Sequence, residues 1–150
     1  MKKIASFTVD HTTLSEGIYV SRIDKDITTY DLRTRKPNGT DFMDHSTMHT
    51  LEHMFATYVR NSEIADDVIY FGPMGCQTGF YLLIRNADNE KVLEITKKVL
   101  ENICRHEGEV FGNSAVECGN YKTLCLEKAK DEAKKYLDIL NSKKHSFCYD

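Results

Sequence analysis

Apolar and polar residues alternate in two stretches near the N-terminus, and β-branched or aromatic residues run together in two later ones. Both patterns predict β-strands. In the second stretch Tyr30 and Leu32 lie on one face, whereas Asp31 and Arg33 lie on the other. Short turns separate the members of each pair, so the strands are expected to pair antiparallel. The predicted strands cover residues 17–23, 27–33, 68–71 and 80–84.

Apolar residues recur at helical spacing in three longer stretches, which predicts α-helices over residues 46–62, 90–106 and 122–140. Asp44 or Ser46 can cap the first helix. Its core-facing stripe consists of Met48, Leu51, Phe55 and Tyr58. The elements predict a single α+β domain over residues 1–150, an antiparallel sheet of about four strands with helices packed on one face. Residues 142–150 form a polar tail that we expect to be mobile.

Composition and charge narrow the classes of function. The chain has 150 residues, 41% hydrophobic and 29% charged, as in ordinary globular domains. A formal net charge of −3 gives no broad basic field, so we expect no nucleic-acid partner. No apolar run approaches the roughly 20 residues of a membrane span, and none follows the N-terminal lysines as in a signal peptide. Five scattered cysteines without an export signal predict a cytoplasmic protein with free thiols.

Two histidines and a glutamate lie close together on the first predicted helix. His49 and His53 are four residues apart, so their imidazoles lie on one face and can reach one ion. Glu52 lies beside them as a candidate general base. The order His-x-x-Glu-His is that of inverzincin metallopeptidases. Because the motif is short, a solvated helix with unrelated histidines is the alternative.

The cysteines offer candidates for a third ligand and for a catalyst. A catalytic metal takes a third protein ligand and keeps one position open. Cys118 lies just before the third predicted helix, where a thiolate can be presented to a metal; a small buried hydrophobe is the alternative. That alternative fits Cys104 and Cys125 better, since both lie inside predicted helices. Cys76 lies in a glycine-rich turn, where an exposed thiol suits a nucleophile or a general acid/base, unless it has no task there.

Several short motifs follow one another along the chain, at residues 6–11, 30–33, 36–38, 49–53, 73–81 and 117–120. The stretch 73–81, Pro-Met-Gly-Cys-Gln-Thr-Gly-Phe-Tyr, is the most distinctive. In their order and approximate spacing these motifs resemble the LuxS family of S-ribosylhomocysteine lyases. The resemblance extends over nearly the whole chain, from about Ser6 to Leu140, and is far more specific than any single motif.

The resemblance implies a metal-dependent carbon–sulfur lyase. The family cleaves the thioether of S-ribosylhomocysteine to homocysteine and 4,5-dihydroxy-2,3-pentanedione, the precursor of the autoinducer-2 signal. By resemblance, His49, His53 and Cys118 bind one divalent metal per subunit, Fe(II) in the native enzymes and often Zn(II) in preparations. Cys76 and Glu52 become the acid/base pair.

The resemblance also implies a substrate pocket and an assembly. Ser6, His11 and Arg33 match positions that line the pocket, and the family is a homodimer, joined through its sheets, with two sites at the interface that are each built from both subunits. The sugar carbonyl migrates twice before the sulfur leaves by β-elimination, and each migration moves a proton between neighbouring carbons. We assign most of these transfers to the Cys76 thiolate, whereas Glu52 moves protons among the substrate oxygens.

Two other functions stay open at this point. An inverzincin-like metallopeptidase would use the same helix, but such domains are longer, place a carboxylate ligand far downstream and leave Cys76 without a role. A non-catalytic metal-binding module would instead have a closed site with four ligands and no open position for substrate.

Overall fold

The computed structural model describes residues 1–149, and Asp150, the last residue of the predicted tail, lies outside them. Within that range four antiparallel strands form one sheet in the order β1-β2-β4-β3, and three α-helices complete a single α+β domain. The strands are β1 (Gly17–Asp24), β2 (Ile27–Arg33), β3 (Val68–Pro73) and β4 (Gly79–Arg85). The helices are α1 (His45–Val59), α2 (Asn89–Arg105) and α3 (Leu126–Ser142). The predicted class of fold is confirmed.

One face of the sheet packs against the helices and forms the core. Tyr30 and Leu32, both predicted for this face, are fully buried. Leu51 and Phe55 of α1 join them in the same hydrophobic cluster, as their helical spacing predicts. No helix within residues 1–149 combines the length and the apolar character that crossing a membrane requires.

The register of the sheet brings the end of β2 against the start of β4. Arg33 lies opposite Gly79, and the two backbones approach closely there. A Cβ atom added to Gly79 would lie 2.7 Å from the carbonyl oxygen of Leu32, a distance that real side chains do not tolerate. Glycine is therefore required at this position by strand packing, immediately beside a candidate site residue.

The start of α1 is fixed by Asp44, one of the two caps that the sequence allows. Asp44 is extended, and its Oδ1 accepts a hydrogen bond from the Thr47 backbone N–H at 2.8 Å. Asp44 Oδ2 also accepts from Lys128 Nζ of α3 at 2.7 Å. The cap therefore sets both where the helix of the candidate metal ligands begins and how it is tied to α3.

The start of α3 is a correction to the prediction. The apolar repeat predicts a helix from residue 122, but α3 begins at Leu126. Tyr121–Thr123 form a separate 3-10 turn, and Cys125 is extended in front of α3 rather than inside it. The Cys125 backbone N–H donates to Thr50 Oγ1 of α1 at 2.9 Å, which holds the chain out of a helix here. Cys118 consequently lies in a loop well before α3, not at a helix start.

The C-terminal tail contacts the sheet. Phe147 is buried, and its carbonyl oxygen accepts from the Val20 backbone N–H at 2.8 Å, so the tail covers the free edge of β1. The ring of Tyr149 stacks on Tyr19 with centroids 5.0 Å apart, and its hydroxyl donates to Asp31 at 2.7 Å. The expectation of a mobile polar tail did not anticipate these contacts, since they depend on partners far away in the sequence.

Candidate metal centre and catalytic cavity

The three residues predicted to bind a metal come together in space. The ligand atoms of His49, His53 and Cys118 all lie within 4.8 Å of one another, and all three residues are half-buried. Cys118 Sγ lies 3.3 Å from His49 Nε2, although the two residues are 69 positions apart. Helix α1 presents the imidazoles on one face, and the loop between α2 and α3 brings the thiol to them.

Hydrogen bonds to the other ring nitrogens orient both imidazoles. His53 Nδ1 donates to the carbonyl oxygen of Phe111 at 2.8 Å. His49 Nδ1 lies 2.7 Å from Thr123 Oγ1, and that hydroxyl donates to the Asn120 carbonyl oxygen, so His49 Nδ1–H is the donor. Both Nε2 atoms are thereby left with a free lone pair, which is the arrangement that metal-bound histidines have.

The donor set fits a divalent transition metal. Two imidazoles and a thiolate suit Zn(II) or Fe(II), and three protein ligands leave a position open for substrate. The Asn120 backbone N–H donates to Cys118 Sγ at 3.4 Å, which helps to fix the position of the sulfur. Burial lowers the pKa of His49, and the His53 and His45 imidazoles lower it further, so the neutral, ligating form is favoured.

Glu52 lies on α1 beside the imidazoles, as the motif predicts. Burial raises the pKa of the Glu52 carboxyl, while the His53 and His45 imidazoles oppose this rise. A carboxyl group whose pKa is shifted toward neutrality both accepts and returns protons more readily. Glu52 therefore has the environment of an acid/base group next to the cluster.

Cys76 lies in a tight loop between β3 and β4, and its side chain is exposed, as expected. The Met74 N–H donates to the Gly79 carbonyl oxygen at 2.9 Å, and Gln77 has a positive φ of 65°. The Gln77 side-chain amide donates to the Met43 carbonyl oxygen at 2.9 Å, and the Met43 N–H donates to the Gln77 carbonyl oxygen at 3.1 Å. These paired bonds anchor the loop to the segment that enters α1.

A buried cation lies beside this thiol. Arg33 Nη1 is 3.8 Å from Cys76 Sγ and donates to Thr78 Oγ1 at 2.8 Å. Thr78 Oγ1 is 3.0 Å from Cys76 Sγ, so its hydroxyl hydrogen is available to the sulfur once the oxygen accepts from Arg33. Arg33 Nη2 also pairs with Asp31 at 2.6 Å, and both residues are almost fully buried. Burial alone would lower the pKa of Arg33, but Asp31 raises it, so the guanidinium stays charged.

The predicted pocket residues line one cavity of about 710 Å³ together with Cys76. Ser6 and His11, from the N-terminal segment, line this cavity, and His11 Nδ1 donates a hydrogen bond to the Val9 carbonyl oxygen at 2.9 Å. Arg33 forms part of the floor. Among residues 1–149, the lining includes neither Glu52 nor any member of the metal cluster. The sequence-predicted site thus divides into two halves within one chain.

Some residues around the site were not anticipated. Thr78 and Tyr81 belong to the distinctive motif but were given no role, although Thr78 contacts the thiol and Tyr81 lines the cavity. Asp31 belongs to the motif at residues 30–33 and was likewise given no role. Tyr149 has no sequence signal, because nothing in its local sequence points to the sheet. The additional apolar side chains of the lining are Phe7, Pro37, Phe42, Pro73 and Met74.

The fold and the site together define a class of protein, an α+β domain in which two histidines of one helix cluster with a loop cysteine and a separate cysteine lies in a cavity. A family model described as S-Ribosylhomocysteinase (LuxS) matches residues 4–146. The chain belongs to the LuxS family, which confirms the resemblance seen in the sequence.

Curated relatives agree with this assignment. A protein of Desulfotalea psychrophila named S-ribosylhomocysteine lyase is 48% identical over 142 residues, covering 91% of this chain and 89% of the relative. A protein of the same name from Finegoldia magna is 44% identical and covers 99% of both chains. Another, from Borreliella afzelii, is 45% identical over 95% of this chain and 94% of the relative.

Proposed function

We propose that this protein is an S-ribosylhomocysteine lyase, which breaks the thioether of its substrate and releases homocysteine and 4,5-dihydroxy-2,3-pentanedione, the autoinducer-2 precursor. One observation carries the proposal: a LuxS family member holds His49, His53 and Cys118 as a cluster with room for an ion. Relatives that bear the lyase name align over 91% and 99% of the chain, so the assignment concerns the whole domain.

His49, His53 and Cys118 would bind the metal. A bound divalent ion would supply Lewis-acid stabilisation of the negative charge that develops on the sugar oxygens. Fe(II) is our assignment for the native enzyme, with Zn(II) in preparations, since the donor set accepts both. Phe111 and Thr123 hold the imidazoles in the orientation that binding needs.

Cys76 and Glu52 would move the protons. The sulfur leaves readily only from the carbon β to a carbonyl, so the sugar carbonyl first migrates along the chain in two steps. Each step removes a proton from one carbon and returns it to the neighbouring one, which we assign to the Cys76 thiolate. Arg33 Nη1 lies 3.8 Å from Cys76 Sγ, so a buried positive charge faces this sulfur. Glu52, with its raised pKa, would transfer protons among the oxygens.

Ser6, His11 and Arg33 would bind the substrate. They line the same cavity as Cys76, and they offer a hydroxyl, an imidazole and a guanidinium to a polar, zwitterionic molecule. The cavity of about 710 Å³ lies in the range of small-molecule sites, and its apolar rim can cover the carbon chain of homocysteine.

The active enzyme would be a homodimer, joined through its sheets, with each site built from both subunits. The separation of the metal cluster from the cavity within one chain supports this, because a second copy would bring one subunit's α1 to the other's cavity. Phe7 and Phe42 on the cavity rim are 69% and 43% exposed, and a second subunit would cover them.

Mixing two inactive variants tests this arrangement. Subunits of Cys76→Ala and Cys118→Ala, exchanged at random, should form mixed dimers with one intact site, giving about one quarter of wild-type activity. Unmixed samples should stay inactive. No recovery in dimers shown to have exchanged would contradict sites shared in this way.

The place of action would be the cytoplasm. All five cysteines are free thiols in the structure, and two of them have proposed tasks that oxidation would abolish. Keeping such thiols reduced requires a reducing compartment.

Incubation with S-ribosylhomocysteine tests the reaction itself. Reduced, metal-loaded protein should release a free thiol, followed with a chromogenic disulfide, and removal of the metal by a chelator should stop the release. Absence of thiol release from metal-loaded protein would contradict the lyase assignment. A metallopeptidase would instead cleave peptides, and a non-catalytic module would bind metal and do neither; no observation on the structure favours these two functions.

A further inference from the structure

Tyr149 begins a chain of contacts that leads from the C-terminal tail into the catalytic cavity. Its hydroxyl donates to Asp31 Oδ2 at 2.7 Å, and Arg33 Nη2 donates to the same oxygen at 2.6 Å. Arg33 Nη1 donates to Thr78 Oγ1 and lies 3.8 Å from Cys76 Sγ. The tail therefore touches the carboxylate that holds the guanidinium beside the thiol.

We propose that Tyr149 is a positioning residue, which fixes the Asp31 carboxylate and through it holds Arg33 against Cys76 and Thr78. The role assigned to Cys76 in turnover rests on the proposed function, whereas the contacts themselves do not. Asp31 and Arg33 are 1% and 2% exposed, so solvent cannot replace a lost hydrogen bond without rearrangement. A carboxylate that loses one of its two donors is free to turn, and the guanidinium bound to it turns with it.

Contacts between the C-terminal tail and β1 hold Tyr149 in this position. Phe147 is buried against β1 and shares a backbone hydrogen bond with Val20, and the Tyr149 ring stacks on Tyr19. Burial raises the pKa of Tyr149 and the Asp31 charge raises it further, so the phenol keeps its proton and remains a donor. Tyr149 itself lies after residues 4–146, the stretch that matches the family model, whereas its partners Asp31 and Tyr19 lie within that stretch.

Three variants separate positioning from packing. Tyr149→Phe keeps the ring on Tyr19 and removes only the hydroxyl, whereas Tyr149→Leu removes both. Cys148→Ser is the matched control, since Cys148 is exposed in the same tail. If Tyr149 serves packing alone, the Phe variant should behave as wild type and only the Leu variant should suffer. If Tyr149 positions Arg33, both variants should show slower alkylation of Cys76 and lower turnover.

The first readout needs no lyase activity. The rate of iodoacetamide modification of Cys76 at pH 7, followed by peptide mass spectrometry, should fall about 2- to 5-fold in Tyr149→Phe because the cation is held less closely to the sulfur. Arg33 side-chain resonances in protein labelled with ¹⁵N-arginine should shift and broaden in the same variant. Cys148→Ser should leave both unchanged.

The second readout is turnover of S-ribosylhomocysteine by the metal-loaded enzyme. Tyr149→Phe should lower kcat about 3- to 10-fold, with KM changed much less. Unchanged alkylation and unchanged Arg33 resonances in Tyr149→Phe would overturn the proposal. If the wild-type protein releases no thiol but the variant still alters Cys76 alkylation, the lyase assignment fails and the positioning role stands.

Discussion

The two halves of the candidate site differ in what holds them together. The metal half joins one helix to the loop between α2 and α3, and its ligands are half-buried. The cysteine half rests on two neighbouring strands and a buried ion pair between Asp31 and Arg33. An ion can complete the first arrangement, whereas the sheet builds the second before any ligand arrives. Substitutions of the residues that support the metal half should therefore lower the affinity for metal. Substitutions in the buried ion pair of the cysteine half should instead lower the free energy of unfolding.

The largest expected effect is the loss of turnover when the cysteine of either half is replaced, and bound metal then distinguishes the two halves. Cys76→Ala and Cys118→Ala should each lower kcat by about 10²- to 10⁴-fold, because Cys76 is the proposed acid/base group and Cys118 a proposed metal ligand. Only Cys118→Ala should also lose bound metal, as measured by elemental analysis of the purified protein. Cys148→Ser, in the tail, is the control and should keep both metal and turnover. Normal turnover by Cys76→Ala would contradict its assigned role.

The buried ion pair should show the next largest effect. Arg33→Met leaves the Asp31 carboxylate buried without its cation, which costs about 3–5 kcal/mol in the free energy of unfolding. Arg22→Met breaks the exposed pair with Asp24, which water and salt screen, and should change the free energy of unfolding far less. Urea unfolding of both metal-loaded variants gives the comparison. Equal losses would mean that burial of the pair does not matter.

The hydrogen bond behind His49 should affect metal binding more than stability. Thr123→Val removes the acceptor of His49 Nδ1–H and should weaken metal binding about 10- to 100-fold. Thr57→Val is a matched control, since Thr57 Oγ1 only donates to the His53 carbonyl oxygen within α1. Competition with a chromogenic chelator measures both affinities. The hypothesis fails if Thr57→Val weakens binding as much as Thr123→Val.

The smallest expected effect concerns the cap of α1 and depends on pH. Hydrogen bonds from Lys128 and Thr47 hold the pKa of Asp44 well below its ordinary value. The charge therefore stabilises the fold above the unfolded pKa of about 4, and this contribution disappears as pH falls toward the lower folded pKa.

Asp44→Asn keeps a capping side chain but removes the charge. Relative to wild type it should lose about 0.5 kcal/mol at pH 7, since the ion pair is half exposed. The difference should shrink toward zero as pH falls below about 4. Thermal unfolding at several pH values measures it, and a difference that grows in acid would contradict the assignment.

The sequence predicts regular elements and local motifs better than it predicts contacts between distant segments. The strand ranges, the cap at Asp44 and the face shared by His49 and His53 follow from local periodicity, and the structure agrees with them. The start of α3 cannot be predicted in this way, because the tertiary hydrogen bond from Cys125 to Thr50 overrides the helical spacing of the apolar residues. Asp31 lies on the opposite face of β2 from Tyr30 and Leu32, as predicted, yet it is buried and bonded to the distant Tyr149, which no local pattern reveals.

The close packing at Gly79 constrains how this sequence can evolve. Its place is dictated by the Leu32 carbonyl oxygen, so an alanine there would push two strands apart whatever the protein does. His53, in contrast, would be required only for binding the proposed metal. In a descendant that had lost the reaction, the glycine beside Arg33 would persist while the histidines were free to change. A glycine retained at this position therefore reports only that the fold is kept, whereas retained histidines would report selection for the proposed activity.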